Sequence, residues 1–556
     1  MLRLILKFLK NPIKFIRFSL IPKIGNIFLF LEYYQKLSLQ EIEFIKKLSR
    51  YKIKWQPENK NIVLMQMVVD HTFCIKLAAT ANRLAKSENA NIGLYSVDTR
   101  VEKDKYPNNF LWNNIFSKLF IEKLDKIYLA IGGKVLYKNV DVYKNQDLIN
   151  STFSEIKKQI KTKYDVLNIQ IDNIKIGDLI YDTYLRFASK TTVDINDPFL
   201  DNIILQSINI YYISKEKLET YNIVALVNSY TTYTKHGVIT RLCLSKNIPV
   251  YTPLCGYISL VHKVSKEYPS HSNNHFLYRQ LFSALENKEE IINTHTEIFE
   301  RRFKGVIDGA TSYMKESAFS STNNPELDLI DWPNTVVILA HCFFDSPHIY
   351  RDLIFPDFYE WITFTMDELS KQKNLTILVK QHPNGLEANN EIFEELKVKY
   401  KNSNIKFIDK KTSQLQIINS RPKAIVTAYG TAASEFSYQG FPVLTVYDNP
   451  FTAFDFTHLA KSIDEYRDML KNITTLKTKQ NKKEIIEFYY MHNFFFLQGR
   501  TSDYLDFFQY KTDTFSDSFL DAYLPKMNED YFKLLDKSIE DGIRLTEWET
   551  KICNNN

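Results

Sequence analysis

Two polar clusters, Lys380-Gln381-His382-Pro383 and Gly430-Thr431-Ala432-Ala433-Ser434-Glu435, carry the side chains best suited to hold a phosphorylated ligand. Lys380 and His382 supply positive charge or hydrogen-bond donors. Thr431 and Ser434 fall in the first turn of an expected helix, where free backbone N–H groups and the macrodipole favour an anion. Their hydroxyls add donors, and Glu435 is placed to accept hydrogen bonds from sugar hydroxyls. Together these describe a site for a sugar carried on a nucleoside mono- or diphosphate. Simple capping of the helix is the alternative, and for Thr431 alone it is the better one. Two such clusters at neighbouring strand ends favour the ligand.

The elements that position them follow from local pattern. Thr376–Lys380 is a short apolar strand ending in the first cluster, and 424–429 is a buried-type strand ending in the second. The run 431–439 is helical, Gly440 and Pro442 stop it, and 443–447 is a third strand. Upstream, 61–69 reads as a strand ending in Asp70-His71, followed by a helix to about Lys86 and a strand at 92–97. Further strands are expected at 127–129, 166–171, 223–228, 248–251 and 336–340. Strands alternating with helices imply α/β units with parallel sheets, whose ligands bind at the carboxyl ends of the strands. No GxGxxG motif marks any of these turns, so no dinucleotide cofactor is expected.

Three more groups are candidates for chemistry. Asp178, Asp182 and Arg186 lie four apart and share one helix face. Either carboxylate suits a general base or nucleophile, and a solvated salt-bridge ladder is the structural alternative. His236 stands at a strand-to-helix passage, where it either donates to a phosphate or acceptor hydroxyl or merely packs. His341, Asp345 and His348 superficially suggest metal ligands. There is no convincing Asp-x-Asp, so His341 and Asp345 read as cleft-lining polar groups and no metal is expected. Asp70, at the end of the first strand, is a weaker phosphate or acceptor candidate.

Composition bounds the class. The chain has 556 residues, 44% hydrophobic and 24% charged, which suits two or more globular domains rather than disorder. Its five cysteines (74, 243, 255, 342 and 553) form no CxxC pair and read as reduced thiols. Arg3, Lys7, Lys10, Lys14, Arg17 and Lys23 precede the first acid, Glu32, and carry a charge equal to the formal net charge of +6. Interleaved with leucine, isoleucine and phenylalanine, residues 1–31 form a basic amphipathic segment suited to an anionic membrane surface. Packing on the protein's own core is the alternative. The remainder is charge-balanced and shows no nucleic-acid-binding module, so no nucleic-acid partner is expected. No uncharged apolar run is long enough to span a bilayer.

The stretches VKQHPNG and TAYGTAASEFSYQGFPVLTV resemble the K-x-HP and S/T…E…G-x-P elements of bacterial capsule-polysaccharide glycosyltransferases. That group includes capsule Kdo transferases and polysialyltransferases, with CDP-glycerol transferases as relatives. IGDLIYDTYLR (176–186), together with ILAHCFFDSPHIY and LIFPDFYEW (between 338 and 361), resembles surface-polysaccharide biosynthesis proteins. The resemblance implies a GT-B-like fold, two Rossmann-like domains facing across a cleft. It implies a metal-independent transfer of sugar from a nucleotide-sugar donor to a growing capsule or lipopolysaccharide-type glycan, on a lipid carrier at the cytoplasmic face. The donor would lie against Lys380, His382, Thr431, Ser434, Glu435 and His341. Asp182 or Asp178 would be the catalytic carboxylate, with His382 assisting and Arg186, His236, Asp70 and Asp345 near acceptor or phosphate. The expected division is 1–57 (basic segment), 58–325 (acceptor domain), 326–480 (nucleotide-sugar domain) and 481–556 (helical tail partly crossing back). Glycerophosphotransfer, sugar-nucleotide epimerisation and non-catalytic glycan assembly are the competing functions.

Overall fold

The computed structural model describes residues 37–554, apart from 69, 97–122, 140, 189, 254–259, 271–273, 309–316, 320–323, 351, 383–387 and 496–516. The basic segment 1–31 lies outside these. The first lobe is built on β1 (Asn61–Met67), β2 (Asn91–Ser96), β3 (Lys134–Lys138), a small hairpin of β4 (Gln170–Ile171) and β5 (Ile174–Lys175), then β6 (Asn222–Val227), β7 (Val250–Pro253) and β8 (Val261–Lys263). Its main sheet has the order β3-β2-β1-β6-β7-β8, parallel except for β8. The second lobe holds β9 (Thr335–Leu339), β10 (Thr376–Lys380), β11 (Ile405–Ile408), β12 (Ala424–Val426), β13 (Val443–Val446) and β14 (His458–Ala460). Their order is β11-β10-β9-β12-β13-β14, all parallel. The two sheets are thus wound alike. Each starts at its centre, runs outward, and crosses back over its first strand, the Rossmann-like winding of a GT-B-like fold. The crossing opens a crevice at the carboxyl ends of β1 and β6 in one lobe and of β9 and β12 in the other.

Both sheets are covered on both faces, and their inner strands are almost wholly buried. This accounts for apolar runs rather than alternation. Two expected strands are corrected. Ile127 and Tyr128 belong to a helix, Lys123–Leu129, because with Leu124 they recur at helical spacing. The run at 166–171 divides into a helix, Lys163–Leu167, and β4. The strands β3, β11 and β14 are short and were not foreseen. Cys74, Cys243 and Cys342 are free thiols.

Tyr278, Leu281, Phe282, Ile291 and Phe299 pack in the core of the second lobe against the helix Lys482–Asn493. These residues thus share the packing of the second lobe. The last helix, Glu529–Asn554, joins both cores. Phe532, Leu535 and Ile539 enter that of the first lobe, while Leu545, Trp548 and Ile552 lie against that of the second. At Gly542 it crosses β8 so closely that a Cβ would stand 2.4 Å from the Val261 nitrogen, so glycine is required there. Among the described residues no helix is long and apolar enough to cross a membrane.

Candidate functional site

Three adjacent strands of the second sheet deliver side chains to its crossing point. β9 runs into Ala340 and His341, β10 ends on Lys380 before Gln381 and His382, and β12 leads to Thr427 and the Gly430-Thr431 turn. These residues line one crevice with Glu435, and Arg302, Ala318, Phe319 and Gln414 close its wall. The space is about 680 Å³, counting the part open to solvent. Lys380, His382, His341, Thr431 and Glu435, from three separate stretches of sequence, are brought together there.

The crevice favours an anion. Lys380 is buried, and burial brings its ammonium down to about 8, against the opposing influence of Asp409 and Glu435. His382 is half-buried. Burial and then the charge of Lys380 lower its pKa, while Asp345 acts in the opposite sense. His341 accepts at Nε2 from the Tyr429 N–H (3.3 Å), with Thr427 Oγ1 3.2 Å from the same nitrogen. A backbone N–H only donates, so Nε2 is bare and the neutral ring carries its proton on Nδ1. Burial, reinforced by His382, brings His341 down to about 3. A negative charge brought into the crevice would stabilise the charged forms of Lys380 and His382.

Glu435 is buried and less free than expected. Its Oε1 accepts from Arg302 Nη1 at 3.1 Å, while Arg302 grips Asp308 with a fork of 2.6 and 3.2 Å. The Tyr489 hydroxyl donates to the same Asp308, and the guanidinium lies 4.8 Å from the centre of the Tyr489 ring. Burial raises the Glu435 pKa, and Arg302 pulls the other way. Ser434 is corrected as a crevice donor. Its hydroxyl donates to the Thr431 carbonyl at 2.8 Å, a back-bond within the first helical turn, instead of facing the cavity. Thr431 makes no side-chain cap to the helix Ala432–Tyr438.

The Asp178, Asp182 and Arg186 trio does not act as one surface. Asp178 is closed off by the Arg241 fork, at 2.6 and 2.5 Å, which removes it as a free base. Arg186 is exposed at the end of its helix, Gly177–Ala188. Asp182 instead meets the second lobe, its Oδ1 lying 2.5 Å from His348 Nδ1. Burial raises Asp182 to about 6 in spite of His348. Two further bonds tie that region across the lobes: the Tyr181 hydroxyl donates to Asp357 at 2.6 Å, and Lys163 pairs with Glu360 at 2.5 Å. His341, Asp345 and His348 therefore diverge, the first to Thr427, the second to solvent and the third to Asp182. No group of three or more ligands placed to hold a metal occurs among the described residues.

In the first lobe, Asp70 is corrected to a helix cap. Its Oδ1 accepts from the backbone N–H groups of Thr72 and Phe73 and from the Thr72 hydroxyl. His236 is held at the crossing point of that sheet, where its Nδ1 accepts from Gln66 Nε2 at 2.6 Å. Gln66 Oε1 in turn accepts from the N–H and hydroxyl of Ser229.

Arg302, Asp308 and Gln414 escaped the sequence reading, and His348 was weighed only as a metal ligand. One signal existed for Arg302: it falls in register with Ile291, His295 and Phe299 on the apolar stripe of the helix Lys288–Arg302, where an unpaired arginine is not tolerated. Nothing local marks His348, whose partner is distant in sequence.

No family model and no curated protein matches the sequence. Among solved structures, the chain is similar to KpsC, the β-Kdo 2,4-transferase of Thermosulfurimonas dismutans, at 14% identity over 48% of this chain and 79% of that one, with a TM-score of 0.30. It is similar to the UDP-GlcNAc 2-epimerase of Methanocaldococcus jannaschii at 13% identity over 77% and 97%, TM-score 0.21. It is also similar to the wall teichoic acid polymerase TagF at 12% identity over 87% and 94%, TM-score 0.20.

Proposed function

We propose that the protein is a GT-B-type glycosyltransferase that moves a sugar from a nucleotide-sugar donor to a growing surface glycan of capsule or lipopolysaccharide type. The observation that carries this is the convergence of Lys380, His382, His341, Thr431 and Glu435 at the crossing point of the second sheet. Lys380 and His382 face the donor phosphate. As the bond from the anomeric carbon to the phosphate oxygen breaks, the electron pair stays on that oxygen, and these donors stabilise the charge. Glu435, steadied by Arg302, faces the sugar. Asp182, from the opposite lobe, takes the proton of the attacking acceptor hydroxyl or first bonds the sugar itself. Asp182 is buried against His348, and this role requires the lobes to part to admit acceptor and close again. Residues 1–31 place the enzyme on an anionic membrane surface at the cytoplasmic face, beside an acceptor on a lipid carrier.

A thermal-shift series with CMP, CDP, UDP, GDP and dTDP tests this. A ligand that binds only the folded state raises the melting temperature. One of the five is expected to do so, and His382→Ala to abolish the shift. No shift with any of them, or a shift intact in His382→Ala, counts against the reading.

A further inference from the structure

Of the second-lobe amides with an unpartnered buried atom, Gln414, Asn389 and Asn404, Gln414 lines the crevice. It follows β11 as the first residue of the helix Gln414–Ser420 and lines the crevice wall, with 6% of its surface exposed. Its backbone N–H donates to the Ala318 carbonyl at 2.9 Å, which fixes the segment against Ala318 and Phe319. Its side-chain Oε1 is buried and has no hydrogen-bond partner. Two residues on, Gln416 uses both ends of its amide on Asn324, at 2.8 and 2.9 Å. An unpaired buried acceptor is costly, and the cost is recovered only when a donor arrives.

Sheet order says which part of the ligand arrives. Across β11-β10-β9-β12, Gln414 marks one end of the crevice, Lys380 and His382 come next, then His341, and Gly430 and Thr431 close the far end. Three strand spacings, about 14 Å, separate the ends. The basic groups lie inward of Gln414, while its own neighbours on the wall, Ala318 and Phe319, are apolar. An apolar slot with one unsatisfied amide beside a basic stretch suits a flat heterocycle joined to a phosphate.

We infer that Gln414 is the residue that reads the nucleobase of the donor, a step that rests on the nucleotide-sugar reading above. Its Oε1 accepts an N–H of the base's pairing edge, and the amide NH₂ beside it donates to the adjacent ring nitrogen or carbonyl. Gln414 thereby sets which nucleotide the enzyme accepts.

Calorimetric titration of CDP, UDP, GDP and ADP into wild type, Gln414→Met and Gln414→Glu tests the assignment, with melting temperatures of the ligand-free proteins. Wild type is expected to prefer one base. Both variants should bind that nucleotide about tenfold more weakly and the others almost unchanged, which flattens the preference. Gln414→Met, which replaces an unpaired acceptor by an apolar chain of similar size, should melt no lower than wild type. Preference retained in the variants, equal binding of all four by wild type, or a lower melting temperature for Gln414→Met overturns the assignment and leaves the glycosyltransferase reading standing. Failure of wild type to bind any of these nucleotides, or CMP or dTDP, removes both.

Discussion

Lys380 is a cation placed where water cannot support it. Burial brings it to about 8 in the ligand-free protein, so a bound anion raises its pKa and draws in a proton. Nucleotide affinity is therefore at full strength below about pH 8 and falls above it by up to tenfold per pH unit. Titrations between about pH 7 and pH 9.5 read this slope, and Lys380→Met should remove it while weakening binding roughly tenfold or more. A flat wild-type profile, or the same slope in the variant, would take Lys380 away from the phosphate. Arg302 has the opposite character. With Asp308 on two nitrogens and Glu435 on the third, it is fully committed, and it fixes the Glu435 carboxylate in place instead of binding ligand.

Among the elements, the helix Gly177–Ala188 links the lobes, carrying Tyr181 and Asp182 to Asp357 and His348 of the other lobe. Asp182 rises to about 6 from an ordinary 3.8, so the folded protein keeps a proton that the unfolded chain has released, and stability falls as pH climbs between those values. The pull of Asp182 overcomes burial and raises His348 above its ordinary 6.5. Its contribution is complete below 6.5 and is lost as pH rises through the folded value. The charges facing the pair are Asp178 beside Asp182 and Asp357 beside His348. Both slopes share one sign. The melting-temperature advantage of wild type over an Asp182→Asn, His348→Gln double variant should shrink as pH climbs from about 4 through the folded value of His348. An advantage that grows with pH contradicts the pairing. This contact also shows what the sequence could and could not reveal. Spacing put Asp178 and Asp182 on a helix, and they are there, but their partners, Arg241 and His348, come from elements that spacing cannot bring near. Strands such as Thr376–Lys380 were legible because they are unbroken apolar runs between polar turns. β3, beginning just after Gly132-Gly133 with lysine at both ends, was not, because an edge strand half open to solvent loses that signature. Ser434 failed for a related reason: a hydroxyl in a first helical turn has a backbone carbonyl within reach, and took it.

At the scale of the whole molecule, two sheets wound alike each offer a crevice, and the last helix pins the lobes together. The sequence clusters at 380–382 and 430–435 meet in the second crevice, whereas the first crevice is occupied by a closed network of Gln66, Ser229 and His236. Amide hydrogen exchange with and without the tightest-binding nucleotide separates these two sites in one measurement. Protection is expected at residues 380–382 and 427–435, with little change at 66–73 and 229–237. Protection confined to the first sheet's crossing point, or none at 427–435 under saturating nucleotide, would contradict a donor site in the second lobe.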